Sequence, residues 1–186
     1  MGIHAIDTRI KVEGAEEPAT RSRFQGLDFA ILHSAFSPTT LAVVDRCDFT
    51  DNKRGLLIAG ADNSIVTRCT LTVADKAVTE LGVEGAYGAY LFGCSGFEVE
   101  ENTFTGTGTE RPKVGLVVRN TGIADNMFYN NSFSGFADAS ERSAGTIIMG
   151  ANATADYSTG LRIKCNDYDP EASNDYDVAF TGNVVS

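Results

Sequence analysis

The chain has 186 residues, enough for one compact domain with its own core. Its net charge of -10 and pI near 4.6 argue against DNA, RNA or anionic lipid as partners, because those require neutralised phosphates. No apolar run approaches the length of a membrane span, so no membrane insertion is expected.

The first 14 residues, MGIHAIDTRIKVEG, place Asp7 ahead of any long apolar run and do not read as a signal peptide. Residues 1–25 read as an N-terminal cap or lead-in. Ile3, Ala5 and Ile6 are apolar, residues 9–12 alternate, and the polar stretch from Glu13 to Arg23, with Pro18, reads as a loop. Gly26-Leu-Asp-Phe-Ala-Ile31 alternates with a period of two and opens a repeat region that runs to residue 168. A second strand, Leu41 to Val44, follows the Ser37-Pro38 turn.

Two series then recur. Gly55, Gly88, Gly115 and Gly160 each precede a strand of about five residues, at intervals of 33, 27 and 45, and a further coil is expected from Gly135-Phe136. The second series is Cys47-Asp-Phe49, Cys69-Thr-Leu71, Asn102-Thr-Phe104 and Asn126-Met-Phe128. Asn at such corners hydrogen-bonds backbone and tolerates left-handed dihedrals, and Asn102 and Asn126 are expected to bond up the stack. Cys47 and Cys69 fall in equivalent slots about 4.8 Å apart and are expected as stacked inward thiols rather than a disulfide. Residues 75–84 interrupt the pattern as an outward excursion.

Strand alternation assigns faces. Leu56, Ile58, Ala89, Leu91, Leu116, Val118, Leu161 and Ile163 form the inward ladder. Leu57, Tyr90, Phe92, Val117, Arg119, Arg162 and Lys164 point outward, apolar in the middle and basic toward the end. The predicted fold is all-β, a right-handed single-stranded parallel β-helix of about six or seven coils, on the order of 30 Å long. Residues 169–186 read as a C-terminal coil or cap. The rival is an antiparallel β-sandwich, which leaves the spaced Gly and Asn positions as coincidence.

The segments GAYLFGCSGFEVEENTF, VGLVVRNTGIADNMFYNNSF and GLRIKCNDYD resemble the pectin-lyase-like right-handed parallel β-helix repeats, especially those of large Bacteroidetes surface proteins. The resemblance spans roughly residues 26–168. It implies an extracellular or cell-surface location and two functional classes: a non-catalytic structural or adhesive module, and a carbohydrate-active enzyme, either polysaccharide lyase or glycoside hydrolase.

Catalytic signals are sparse. The Asp-Asp pair and Gly-His-Gly of the polygalacturonase-like enzymes are missing, although Arg162-Ile-Lys164 resembles their basic element. For a lyase, Arg119, Arg162 and Lys164 are the candidate outward bases. His33 reads as a packed histidine. Asp167, Asp169, Asp175 and Asp177 are the candidate calcium ligands, hard oxygen donors suited to Ca2+. The outward patch of Leu57, Tyr90, Phe92 and Val117 is expected to meet a polysaccharide, another copy of the coil, or a covering loop from 75–84 or 137–157. Any groove for a polyuronate needs a local basic patch or bridging cations to offset the acidic surface.

Overall fold

A computed structural model of the chain describes residues 1–37, 40–73, 86–107, 113–119, 124–136, 147–150, 160–167 and 178–181. Three short strands recur in each coil. The first coil holds β1 (Ile3–Ile6), β2 (Ile10–Glu13) and β3 (Ser22–Gln25), and the second β4 (Phe29–Ser34), β5 (Ala42–Asp45) and β6 (Cys47–Asn52). The third holds β7 (Arg54–Ala59), β8 (Ile65–Thr67) and β9 (Thr70–Val73), and the fourth β10 (Ala86–Phe92), β11 (Glu98–Glu100) and β12 (Thr103–Gly106). The fifth holds β13 (Lys113–Arg119), β14 (Asn126–Tyr129) and β15 (Ser132–Ser134), followed by β16 (Ile147–Gly150), β17 (Leu161–Lys164) and β18 (Val178–Thr181).

From β4 to β17 each strand pairs, in parallel, with the strand three before it, one coil away, and β18 pairs with β16. The result is three sheets, ordered β1-β4-β7-β10-β13-β16-β18, β2-β5-β8-β11-β14-β17 and β3-β6-β9-β12-β15. This is the right-handed parallel β-helix expected from the repeat. Residues 1–25, read as a cap or lead-in, are built as strands that pair in register with the second coil.

The core follows from alternation. Ile31, Leu56, Ala89 and Leu116 stack along the first sheet, with Ile58, Leu91 and Val118 two residues on. Val44, Val66, Val99 and Phe128 line the second sheet. Phe24, Phe49, Leu71, Phe104 and Phe133 line the third, with ring centroids of Phe24/Phe49 and Phe104/Phe133 5.1 and 4.8 Å apart. All six predicted inward residues of β7, β10 and β13 are buried, while Leu161 and Ile163 pack partly against the same core.

Gly55, Gly88 and Gly115 occupy matching positions in three coils, because the registers place Leu56, Ala89 and Leu116 side by side. A Cβ on Gly88 would lie 2.6 Å from the Gly115 carbonyl and 2.8 Å from the Phe104 ring. The fourth glycine departs from the series. Gly160 precedes β17, which pairs with β14 in the second sheet, so Leu161 lies beside Asn126 and Ile163 beside Phe128. The strand that continues the first sheet is β16, with Ile147 beside Leu116. Gly135-Phe136 follows β15 in the third sheet, and residues 137–146 after it lie outside the described residues.

The second series also shifts at its fourth member. Cys47, Cys69, Asn102 and Asn131 share one column at the corner between the second and third sheets, and Asn166 extends it. Each follows a residue with left-handed backbone: Arg46, Arg68, Glu101, Asn130 and Cys165, with φ between 51° and 54°. Asn102 bonds Asn131 and not Asn126. The Asn102 side-chain amide donates to Asn131 Oδ1 at 3.0 Å, and that of Asn131 donates to Asn166 Oδ1 at 3.0 Å. Asn126 sits one corner earlier, accepting from the Gly96 N–H at 2.8 Å. Cys47 and Cys69 are free, buried and adjacent in the column, as stacked thiols rather than a disulfide.

Candidate functional site

The outward face of the first sheet is a packed cluster. Tyr87, Tyr90, Val114 and Val117 are buried together, with Leu57 packed against them. Tyr90 is 8 % exposed and Val117 only 1 %, so the patch is closed at its centre. Phe92 alone of the predicted set is an exposed apolar side chain, at 37 %. The rings meet edge to face, Tyr87 with Tyr90 at 5.5 Å and Tyr90 with Phe92 at 6.3 Å. Burial drives the Tyr87 hydroxyl pKa up. At the N-terminal end of the same face, the buried Arg54 guanidinium lies 4.6 Å from the Phe29 ring centroid, a cation–π contact. The 75–84 stretch and most of 137–157 lie outside the described residues.

The basic half of the predicted face divides between two sheets. Arg119 ends β13, in register with Phe92, and is half-buried. Arg162 and Lys164 are exposed on β17 of the second sheet, beside Met127 and Tyr129. The seven residues therefore do not form one surface. The physical reason is that Gly160 opens a strand of the second sheet, not of the first. Arg162 pairs with Asp125 at 3.0 Å.

Asp167 is exposed, and its backbone is spent on the Asn131 and Phe133 ladder bonds. Asp169, Asp175 and Asp177 lie outside the described residues. Among the described residues, no three His, Cys, Asp or Glu side chains gather as a cation site. His33 is fully buried in the inner column beside Ile58, and one ring nitrogen lies 2.7 Å from the Thr8 carbonyl. It is a packed histidine, as expected.

The sequence reading missed a second locus, on the corner between the second and third sheets. The left-handed residues Arg46 and Arg68 point out beside each other, one coil apart, and both reach the buried Asp45. Arg68 donates Nε–H to Asp45 Oδ1 at 2.9 Å and Nη2–H to Oδ2 at 2.8 Å, while Arg46 Nη2 lies 2.9 Å from Oδ2. The Asp45 carboxylate holds the Arg68 pKa above its ordinary value. Arg21 and Arg23 flank Asp48 at 3.6 and 3.5 Å, beyond hydrogen-bond length. These groups border a groove of about 300 Å3 over Arg21, Arg46, Arg68, Thr70 and Thr103. Its neighbour, of about 640 Å3, runs past Arg21, Arg23, Thr50 and Thr70 beneath the turn at Pro18–Thr20. The sequence did carry a signal: the dipeptides Arg46-Cys47 and Arg68-Cys69 put arginine just before the repeat's Cys slot in successive coils.

Comparison with known proteins agrees with this architecture. A family model described as a right handed beta helix region matches residues 33–133. Neither a curated protein nor a solved structure matches the chain. The matched stretch is more than half of the sequence and runs from the second coil into the fifth, and the chain accordingly belongs to the right handed beta helix region family.

Proposed function

We propose that this chain is a non-catalytic structural or adhesive β-helix module of an extracellular bacterial protein, one whose partners are a polysaccharide or another copy of the coil. The observation that carries the reading is the closure of the first sheet's outward face. Its aromatic side chains pack on each other, with Tyr90 and Val117 buried, where a cleaving enzyme needs an open groove with converging acids and bases. The charged groups beside it support the same reading, because Arg119 and Arg162 lie on different sheets, and the carboxylate that Arg162 meets among the described residues is Asp125. The family resemblance supports the extracellular setting.

A glycan array, run beside a polyuronate cleavage assay with and without calcium, tests the proposal. Retention of a glycan or self-association without product release is the expected result. Release of unsaturated or reducing ends, abolished by Arg119→Gln or Arg162→Gln, would instead establish a carbohydrate-active enzyme and sink the reading.

A further inference from the structure

We propose that the arginine groove on the third sheet binds a sulfate or phosphate ester carried on a carbohydrate chain. Four of the chain's ten arginines meet there, on a protein whose net charge is -10. Structural ion pairing accounts for only part of them. Asp45 is saturated by both ends of the Arg68 fork and by Arg46. The Nε–H groups of Arg21 and Arg46 are buried and have no hydrogen-bond acceptor. The other contacts of this pair are long: Arg21 Nη1 lies 3.6 Å from Asp48, and Arg46 Nη1 lies 3.8 Å from Glu16. The Glu16 side chain is 92 % exposed, so it moves aside at little cost. What remains are the Nη1 donors of Arg21 and Arg46, whose carboxylate contacts exceed hydrogen-bond length, on two guanidinium groups one coil apart that line the open groove. A tetrahedral oxyanion fills such forks with several charge-assisted hydrogen bonds.

The rest of the groove selects what carries the oxyanion. Thr70 and Thr103 stand in register one coil apart, about 4.8 Å, and with Thr50, two residues along from Thr70's partner Asp48, they supply a floor of outward hydroxyls that hydrogen-bond sugar hydroxyls. Glu16 and Glu101 beside the groove and Asp48 in its floor next to Thr70, together with the acidic surface beyond, repel a densely charged polymer such as nucleic acid. The fit is to a sparsely charged chain, its ester groups separated by neutral sugar.

Calorimetry on the full chain tests this with four probes: a κ-carrageenan tetrasaccharide, its desulfated form, mannose 6-phosphate and inorganic sulfate. The ester-bearing sugars should bind more tightly than both the desulfated sugar and the free ion, and more weakly as salt rises. Arg21→Gln should weaken that binding about tenfold, as expected for a lost charge-assisted hydrogen bond. Arg23→Gln removes a mostly exposed side chain, so its folding is safe, and it should weaken binding by a smaller factor. Arg162→Gln on the second sheet should leave binding unchanged. Equal affinity for the desulfated sugar or for free sulfate overturns the proposal, as does unchanged affinity in both folded groove variants. Cleavage of the tetrasaccharide would instead refute the non-catalytic reading and leave this site standing.

Discussion

Asn131 shows how much of the fold rests on single polar side chains. It is buried, and its carbonyl oxygen accepts both the Asn102 backbone N–H at 3.1 Å and the Asn102 side-chain amide at 3.0 Å. Its own amide donates to the Val99 carbonyl and to Asn166 Oδ1, each at 3.0 Å. Alanine there strands several buried groups at once, and each unsatisfied group costs about 1–3 kcal/mol. Asn131→Ala should therefore lower unfolding free energy by roughly 2–4 kcal/mol in a urea titration. Thr105→Ala on the outer face should change it by less than about 0.5 kcal/mol. Equal losses would mean that the ladder contributes no more than a surface hydroxyl. The sequence showed that an Asn column exists but misplaced one member by five residues, choosing Asn126 over Asn131. Both asparagines are followed two residues later by Phe, at 128 and 133, and both phenylalanines are buried. What separates them is the left-handed Asn130, which the pattern of side chains does not display. The cysteines allow a second test. Cys47, Cys69 and Cys94 are buried and Cys165 is exposed. Burial pushes the Cys94 thiol up to about 11 from 9.0. Iodoacetamide at neutral pH should thus label Cys165 fast and the other three only after unfolding, as read by mass spectrometry. The raised Cys94 pKa adds a sign. Its stabilising effect is complete below pH 9.0 and fades as pH climbs toward 11, because the unfolded thiol ionises first.

At the scale of the strand, glycine sets how closely coils approach. Gly88 has no room for a methyl group, being walled by the Gly115 carbonyl and the Phe104 ring. Gly26 differs: its φ is +67°, and a Cβ there meets nothing within 4 Å. Gly88→Ala should cost about 1–3 kcal/mol through overpacking. Gly26→Ala should cost about 1–2 kcal/mol through left-handed strain. Asn at 26 should recover most of the loss, since Asn tolerates that backbone, whereas Asn at 88 should be worse than Ala. Thermal melts of the four variants separate the two mechanisms, and rescue by Asn at both sites would contradict them. The glycine spacing made β7, β10 and β13 readable in order and in register. It failed at β17 because β16, the true continuation, starts at Ile147 after Thr146 and carries no glycine directly before it. A pattern anchored on close approach is silent where the residue at that point is not glycine.

For the molecule as a whole, stability should grade along the helix axis, because each coil touches only its neighbours. The strands of the first coil pair on one side only, standing at one end of each sheet. Their burial shows it: β2 and β3 alternate half-buried and exposed positions, and Ile6 is 55 % exposed. By contrast, β10 is paired on both sides and buried at every position but the last. The aromatic cluster outside the first sheet thickens the same middle region, since Tyr87 and Tyr90 belong to β10. Opening of the first coil exposes little apolar surface, whereas opening at β10 breaks two interfaces and empties both clusters. Native-state hydrogen exchange should accordingly find the slowest amides in β7 and β10, exchanging near the global unfolding free energy. Those of β1, β2 and β3 should exchange through local opening, faster by orders of magnitude. Denaturant should shorten the β10 exchange times steeply and those of β2 hardly at all, since local opening exposes little surface. Uniform protection with one steep denaturant dependence would show a single cooperative unit, and the additive picture of stacked coils would then be wrong for this chain.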